Sequence, residues 1–349
     1  MGSEAGVKSK AALIIAAVLG AVALAAAAAA LWPREQLVVY TSVDSVYSRP
    51  VADLFEIRTG IRVTLVPDAE SAKTTGLYQR LLAEKRRPRA DVFWNSEISR
   101  TLLLARQGLL AAYRPKAAGE LASEFRGRGD LWHGFACRAR IIIYNRNLVK
   151  PEELPKSIFD LTGPHWKGKV AVAYPLFGTT ATHCAALRAE FGRARTNDFL
   201  KALVANGVKV VNGNGIVAEL VAAGSAALGL TDTDDAWAQI DAGKPVGMVY
   251  PDQGEGGLGT LVIPNTAGRV AGGPHPEAAA KFLDFLCSAP VEAVLAQPPA
   301  RHMPTPGRGL GGAPDAKSLT EIRPMKVEWE RVADEVERQS EDLEKIFPR

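Results

Sequence analysis

Thr231-Asp-Thr-Asp-Asp235 sets three carboxylates and two hydroxyls in five consecutive residues, directly after the apolar run at 226–230. If the run is a buried strand, these groups sit at its C-terminal end, where open α/β sheets bind ligands. Carboxylates held close together repel unless a cation neutralises them. Oxygen-only donors suit a hard metal ion, and they receive a ligand's ammonium group equally well. The competing reading is a helix start, because Asp and Thr cap helices and acidic residues suit the first turn. Choosing between these readings depends on what else the chain brings to the same edge.

From Gln36 the chain alternates strand and helix. Leu37-Val-Val-Tyr40, Ile61-Arg-Val-Thr-Leu-Val66 and Ala90-Asp-Val-Phe-Trp94 read as strands. The helices between and after them carry Val51, Leu54, Phe55 and Ile57, then Leu77, Leu81 and Leu82, then Leu102 and Leu103. This pattern predicts βαβ units and an α/β fold with a mostly parallel sheet. Three successive strand-to-helix turns are polar: Ser42 with Asp44, Lys73 with Thr74 and Thr75, and Asn95 with Ser96 and Glu97. In a parallel sheet such turns share one edge, so their side chains converge. A second unit starts at Gly168-Lys-Val-Ala-Val-Ala173 and offers Thr179, Thr180, Asn214, Asp232, Thr233, Asp234 and Asp235 on its own edge. Gly178-Thr-Thr180 at a helix start supplies amides and hydroxyls that suit an anion. Singly each turn is an ordinary cap; together they outline a cleft.

Residues 276–286 read as a helix and 304–317, rich in Gly and Pro, as a loop. A last amphipathic helix bears Val327, Trp329, Val332, Val336, Leu343 and Phe347 on one face, and is expected to pack back on the first domain. Length and a hydrophobic content of 47% allow about two domains with sizeable cores. A net charge of +4 is too mild to imply a nucleic-acid partner, and no basic stripe interleaves with aromatics, so none is expected. Cys137, Cys184 and Cys287 form no C-x-x-C motif and read as buried hydrophobes, with one disulfide left open. Lys8 and Lys10 precede an uncharged Ala-rich run over 11–32, which is an export signal or an uncleaved membrane anchor.

Several chemistries drop out. No G-x-S-x-G turn, H-E-x-x-H pair or phosphate loop occurs, and the five histidines are scattered. Gly254-Glu-Gly-Gly-Leu-Gly259 has dinucleotide-fingerprint spacing but leads into the strand Thr260-Leu-Val-Ile263 rather than opening a helix, so it is read as a connection. Without a nucleophile–base pair, the polar edges point to binding without turnover.

Leu37-Val-Val-Tyr-Thr-Ser42, Ala90-Asp-Val-Phe-Trp-Asn-Ser-Glu97, Ile143-Tyr-Asn145, Leu228-Gly-Leu-Thr231 and Gly259-Thr-Leu-Val-Ile-Pro-Asn265, in that order, resemble the bacterial extracellular solute-binding proteins of ABC importers, the family that includes ferric-ion-binding and aminoethylphosphonate-binding members. The resemblance covers roughly 37–347. It implies a two-lobed type II periplasmic-binding-protein fold: a signal or anchor at 1–36, one lobe from 37–140 and 251–349, the other from 141–250, with crossing strands near 138–144 and 246–252. It also implies an exported, periplasmic monomer that holds its ligand in the interlobe cleft and presents it to a membrane permease. No resident cofactor is implied; a metal enters only as the transported ligand.

Ferric-binding relatives hold iron with two adjacent tyrosines, a histidine and a glutamate. By position the resemblance puts Asp234 and Asp235 at the tyrosines, Asp44 near the histidine and Glu97 at the glutamate, and only Glu97 matches in type. The residues leave two ligands open. A hard cation such as Fe(III) would take Asp44, Glu97, Asp234 and Asp235. A zwitterion such as an amino-phosphonate would set its ammonium on the carboxylates and its anionic end on Lys73, Thr74, Thr179 and Thr180. Iron(III) or a related complex is the expectation from the family. Two other classes remain: an enzyme on the same scaffold, which would need a productive base among the carboxylates, and a membrane-anchored sensor, which an uncleaved 11–32 would favour.

Overall fold

The computed structural model describes residues 35–68 and 75–348. The export or anchor segment expected at the N-terminus therefore falls almost wholly outside the described residues, as do Lys73 and Thr74. Among the described residues no helix is long and apolar enough to cross a membrane.

β1 (Gln36–Thr41) pairs in parallel with β2 (Arg62–Pro67) and β3 (Val92–Asn95), linked by α1 (Ser45–Thr59) and α2 (Thr75–Ala83). α3 (Ser99–Arg106) leads from β3 to the short β4 (Leu110–Ala111). The second parallel set is β6 (Val170–Ala173) between β7 (Lys209–Val211) and β8 (Leu228–Asp232). Its connections are α4 (Gly178–Phe191) with α5 (Arg193–Ala205), and α6 (Asn214–Ala222). Apolar runs flanked by helices on both faces need no alternation, and the cores lie on both faces of each set.

The parallel sets are joined by antiparallel strands, so the sheet is mixed. β5 (His133–Asn145) pairs through Ala139 with β10 (Val262–Val270), and from Arg140 onward with β8 and with β9 (Val246–Val249). One continuous strand thus passes between the two sheets at Ala139 and Arg140. The chain crosses again between β9 and β10. Gly254–Gly259 lies in that second crossing as turns, in keeping with its reading as a connection.

α7 (Thr233–Asp241) follows β8, and α8 (Pro276–Leu286) and α9 (Ala289–Leu295) cover the first sheet. The last amphipathic stretch departs from expectation. It is two helices, α10 (Trp329–Arg338) and α11 (Ser340–Ile346), separated at Gln339, whose buried amide donates to the Ala181 carbonyl at 3.0 Å. α10 lies on both α4 and α3, and α11 on α5. Leu343, Ile346 and Phe347 enter the core of the second sheet, so the C-terminal end clasps that sheet rather than packing back on the first domain alone. The apolar face was legible; its partner was not, because both sheets offer apolar helices to it. All three cysteines are buried and free.

Gly229 in β8 is a close-approach glycine: a Cβ there would stand 2.4 Å from Val217 Cγ1 and 3.2 Å from Ile143 Cγ2. Gly229→Ala is expected to cost about 1–3 kcal/mol through overpacking, read as a lower urea midpoint at unchanged slope.

Candidate functional site

The site is organised by a cross-strand pair. The β5–β8 ladder sets Arg140 opposite Asp232, and the guanidinium Nη1 lies 2.8 Å from Asp232 Oδ1. Arg138 sits two residues earlier on the same strand, so it shares that face. Its Nη1 is 3.5 Å from Asp232 Oδ2 and 3.4 Å from Asp234 Oδ2. Both guanidiniums are buried, and the surrounding carboxylates push the Arg138 pKa further above its already high value against the opposing effect of burial. Asp232 also accepts from Thr179 Oγ1 at 2.7 Å and Asn214 Nδ2 at 3.4 Å. Thr179 and Thr180 stand in the first turn of α4, and Asn214 starts α6, so three helix starts and one strand end meet on this carboxylate.

Asp235 partly bears out the capping reading. Its Oδ2 accepts from Thr231 Oγ1 at 2.8 Å and from the Asp232 amide at 3.4 Å, closing a capping box on α7. Yet Asp232, Asp234 and Asp235 also offer ligand oxygens that all lie within 4.8 Å of one another. The same residues therefore start a helix and gather three carboxylates.

Asp44, Ser96, Arg138, Gly178, Thr179, Asn214, Gly215, Asp232, Asp234 and Asp235 enclose a cavity of about 30 Å³ between the two sheets. Seven of the expected ligand-binding residues are thereby brought together. Of the remaining expected residues, the described ones, Ser42, Asn95, Glu97, Thr180 and Thr233, are engaged in other contacts. Ser42 donates to Asn95 at 2.6 Å and accepts from the Ser96 amide at 2.8 Å, which fixes the first sheet's turns to each other. Thr180 bonds Asn214 at 3.1 Å, and Thr233 accepts from the Ala139 amide at 3.3 Å.

Glu97 departs most from its expected place among metal ligands. It is fully buried, and its carboxylate accepts from the amides of Ser99 at 2.5 Å and Arg100 at 3.0 Å, from Asn95 Nδ2 at 3.0 Å, and from the Ser99 hydroxyl. It also accepts from Thr182 Oγ1 of α4 at 2.9 Å. Glu97 thus caps α3 and ties the first sheet to the second, with its lone pairs spent; it does not line the cavity. The Glu97→Ala variant should lose about 2–3 kcal/mol, since several buried donors are orphaned. Urea unfolding of ligand-free protein checks this, because a purely ligand-contacting glutamate would leave that stability unchanged.

Four further side chains stand at or beside the acidic cluster. Arg138 and Arg140 carry a signal: two cations at i and i+2 in an otherwise apolar strand must face one way and need acidic partners. Tyr47 and His302 carry none, since they arrive from the first turn of α1 and from an irregular segment. The His302 ring lies 3.7 Å from Asp234 and edge-on to Tyr47, with ring centroids 5.5 Å apart. Burial lowers the His302 pKa, with Asp234 opposing it. Burial, then Asp234, Asp235 and Asp44, keep the Tyr47 hydroxyl protonated.

His183 lies one turn beyond Thr179 and Thr180 and is a packed residue, its pKa lowered from 6.5 to about 3 by burial and then by Arg140. A depressed histidine pKa means the unfolded chain binds the proton first. Stability present above pH 6.5 is therefore lost as pH falls from 6.5 toward about 3. His183→Leu is expected to flatten part of that acid limb in chemical unfolding measured between pH 7 and 4.

Two sheets joined by crossing strands, with polar strand ends closing on a shared cavity, are the architecture of type II periplasmic binding proteins. Iron-bound HitA from Pseudomonas aeruginosa superposes with a TM-score of 0.80 at 24% identity, covering 90% of this chain and 99% of that one. AfuA from Actinobacillus pleuropneumoniae, with exogenous fructose-6-phosphate bound, superposes at 0.78 and 22%, covering 89% and 99%. At these identities the likeness concerns the fold. The sequence itself goes further: residues 91–329 match the family model of bacterial extracellular solute-binding proteins, and the chain belongs to that family. It is 31% identical over 253 residues to iron uptake protein A1 of Synechocystis sp., covering 70% of this chain and 68% of that one. The Fe(3+)-binding periplasmic protein of Serratia marcescens is 29% identical over 210 residues, covering 60% of each.

Proposed function

We propose that this protein is the exported solute-binding component of an ABC importer, and that its cargo is iron(III) or a small ferric complex. The observation that carries the reading is the gathering of three carboxylates, Asp232, Asp234 and Asp235, with oxygens within 4.8 Å of one another at a cavity of about 30 Å³. A water needs roughly 10–15 Å³ by that measure, whereas pockets for organic ligands run to about 300–1,000 Å³. The enclosed space suits an ion. Around it Asp44, Asp232, Asp234 and Asp235 face Arg138 and Arg140, four negative charges against two positive, which leaves a deficit that a cation fills. The names of the relatives agree with this choice. No tyrosine pair follows β8, so the iron would sit on carboxylate oxygen, a hard donor for a hard ion. The protein performs no turnover in this account. Its lobes, 37–140 with 251–349 and 141–250, close about the crossing strands and present the loaded form to a permease.

A phosphonate or amino-phosphonate is the second reading, favoured by the two guanidiniums. Against it, Arg140, Thr179 and Asn214 already bond Asp232, so an anion would meet donors in use.

Calorimetric titration of metal-stripped protein with ferric nitrilotriacetate, and separately with fructose 6-phosphate and aminoethylphosphonate, tests the choice. Ferric binding without binding of either organic anion is expected; the reverse pattern overturns the metal reading. Asp234→Ala is expected to weaken ferric binding at least about tenfold, one lost ligand being worth 1.4 kcal/mol or more. Its unfolding midpoint should stay near that of the parent, and an unfolded variant would instead make Asp234 a structural residue.

A further inference from the structure

We propose that Arg138 is a tethered counter-cation that stands in for the cargo, and that iron binds by displacing it from Asp232 and Asp234. The inference rests on the metal reading above and adds how the site is regulated. Among the described residues the Arg138 guanidinium is the one cation lining the cavity, 3.5 Å from Asp232 and 3.4 Å from Asp234. These are two of the three carboxylates that can share a metal. Its backbone pairs with β10 in the first sheet and its Nη2 donates to the Ser96 carbonyl just beyond β3 of that same sheet, so its contacts to Asp232 and Asp234 are the ones that span the cleft. A single side chain therefore neutralises the acids of the second sheet and holds the turn of the first sheet over them. Further contacts span the same gap: Ser99 Oγ lies 3.1 Å from Thr182 Oγ1, and Thr182 reaches Glu97 at 2.9 Å.

Two consequences follow. With its guanidinium in place the cleft closes without cargo, because the repulsion between Asp232 and Asp234 is partly offset, while the net negative charge that attracts a metal ion remains. A metal ion must then compete with an intramolecular cation. Divalent ions, with less charge to offer the same oxygens, compete less well than a trivalent one, so Arg138 sharpens selection by charge. Asp232 does not collapse when Arg138 leaves, since Arg140, Thr179 and Asn214 still hold it.

The test uses the full chain, metal-stripped, with Arg138→Met and Arg138→Lys. Methionine keeps much of the volume and removes the charge; lysine keeps a charge on a shorter stem without the guanidinium fork. Small-angle scattering reads closure without metal, and titration with ferric nitrilotriacetate reads affinity. For Arg138→Met the metal-free radius of gyration is expected to exceed that of the parent, and ferric affinity to rise about tenfold or more, since buried acids lose their partner. Arg138→Lys is expected to move both readouts the same way by less, and it decides the matter if the methionine variant does not fold. An unchanged radius overturns the inference, as does unchanged or weaker ferric affinity in a protein that binds iron. If neither parent nor variants bind iron, the metal reading fails on its own. Scattering then still judges the counter-cation: opening of the Arg138→Met protein supports it, and an unchanged radius refutes it.

Discussion

Everything at the site depends on β5 being one strand shared by two sheets. Its pairing changes between Ala139 and Arg140, from β10 in the first sheet to β8 in the second. Strand periodicity then aims Arg138 and Arg140 out of the same face, one on each side of the change. The ladder puts Arg140 against Asp232, and that ion pair is hydrogen-bonded on both partners, the condition under which a buried pair is tolerated. Asp232 is at once the last residue of β8 and the cap position of α7, so the pair fixes where Asp234 and Asp235 point. The carboxylate cluster is a consequence of strand register.

The closing contacts repeat one theme. Polar residues at strand ends of the first sheet do not wait for a ligand; they bond one another, as Ser42, Asn95, Ser96 and Glu97 do, and so give the cleft a rigid wall. The opposite wall is built from helix starts of the second sheet, Thr179, Thr180 and Asn214. Between the walls, charge rather than shape sets what is held. The cavity is so small, about 30 Å³, that an organic solute would find little area to bury there. An ion finds oxygens already gathered.

Much of this was legible in the sequence, and the limits have physical causes. Hydrophobic runs and polar turns located the strands and the edge they share, because period and turn chemistry are local. The acidic stretch after β8 was recognisable for the same reason. Glu97's partners are not legible in a motif, because position along a motif does not say where a carboxylate finds donors; here they are the Ser99 and Arg100 amides, Asn95 Nδ2 and two hydroxyls. Arg138 and Arg140 do carry a signal, since R-A-R inside an apolar strand announces buried charge needing a partner. Tyr47 and His302 could not have been foreseen, since only tertiary packing brings 47, 234 and 302 together. The C-terminal helices were clear as helices, while their docking on α4 and α5 depended on which apolar surface the crossing strands left open.

The measurement that tests the account most directly is a crystal structure of the ferric-loaded protein with anomalous diffraction at the iron edge. The account predicts a single iron peak between the two sheets, bonded to carboxylate oxygens of the Asp232, Asp234 and Asp235 cluster, with the Arg138 guanidinium withdrawn from Asp232 and Asp234. An iron peak elsewhere, or iron in the cleft with Arg138 still paired to both aspartates, would contradict it.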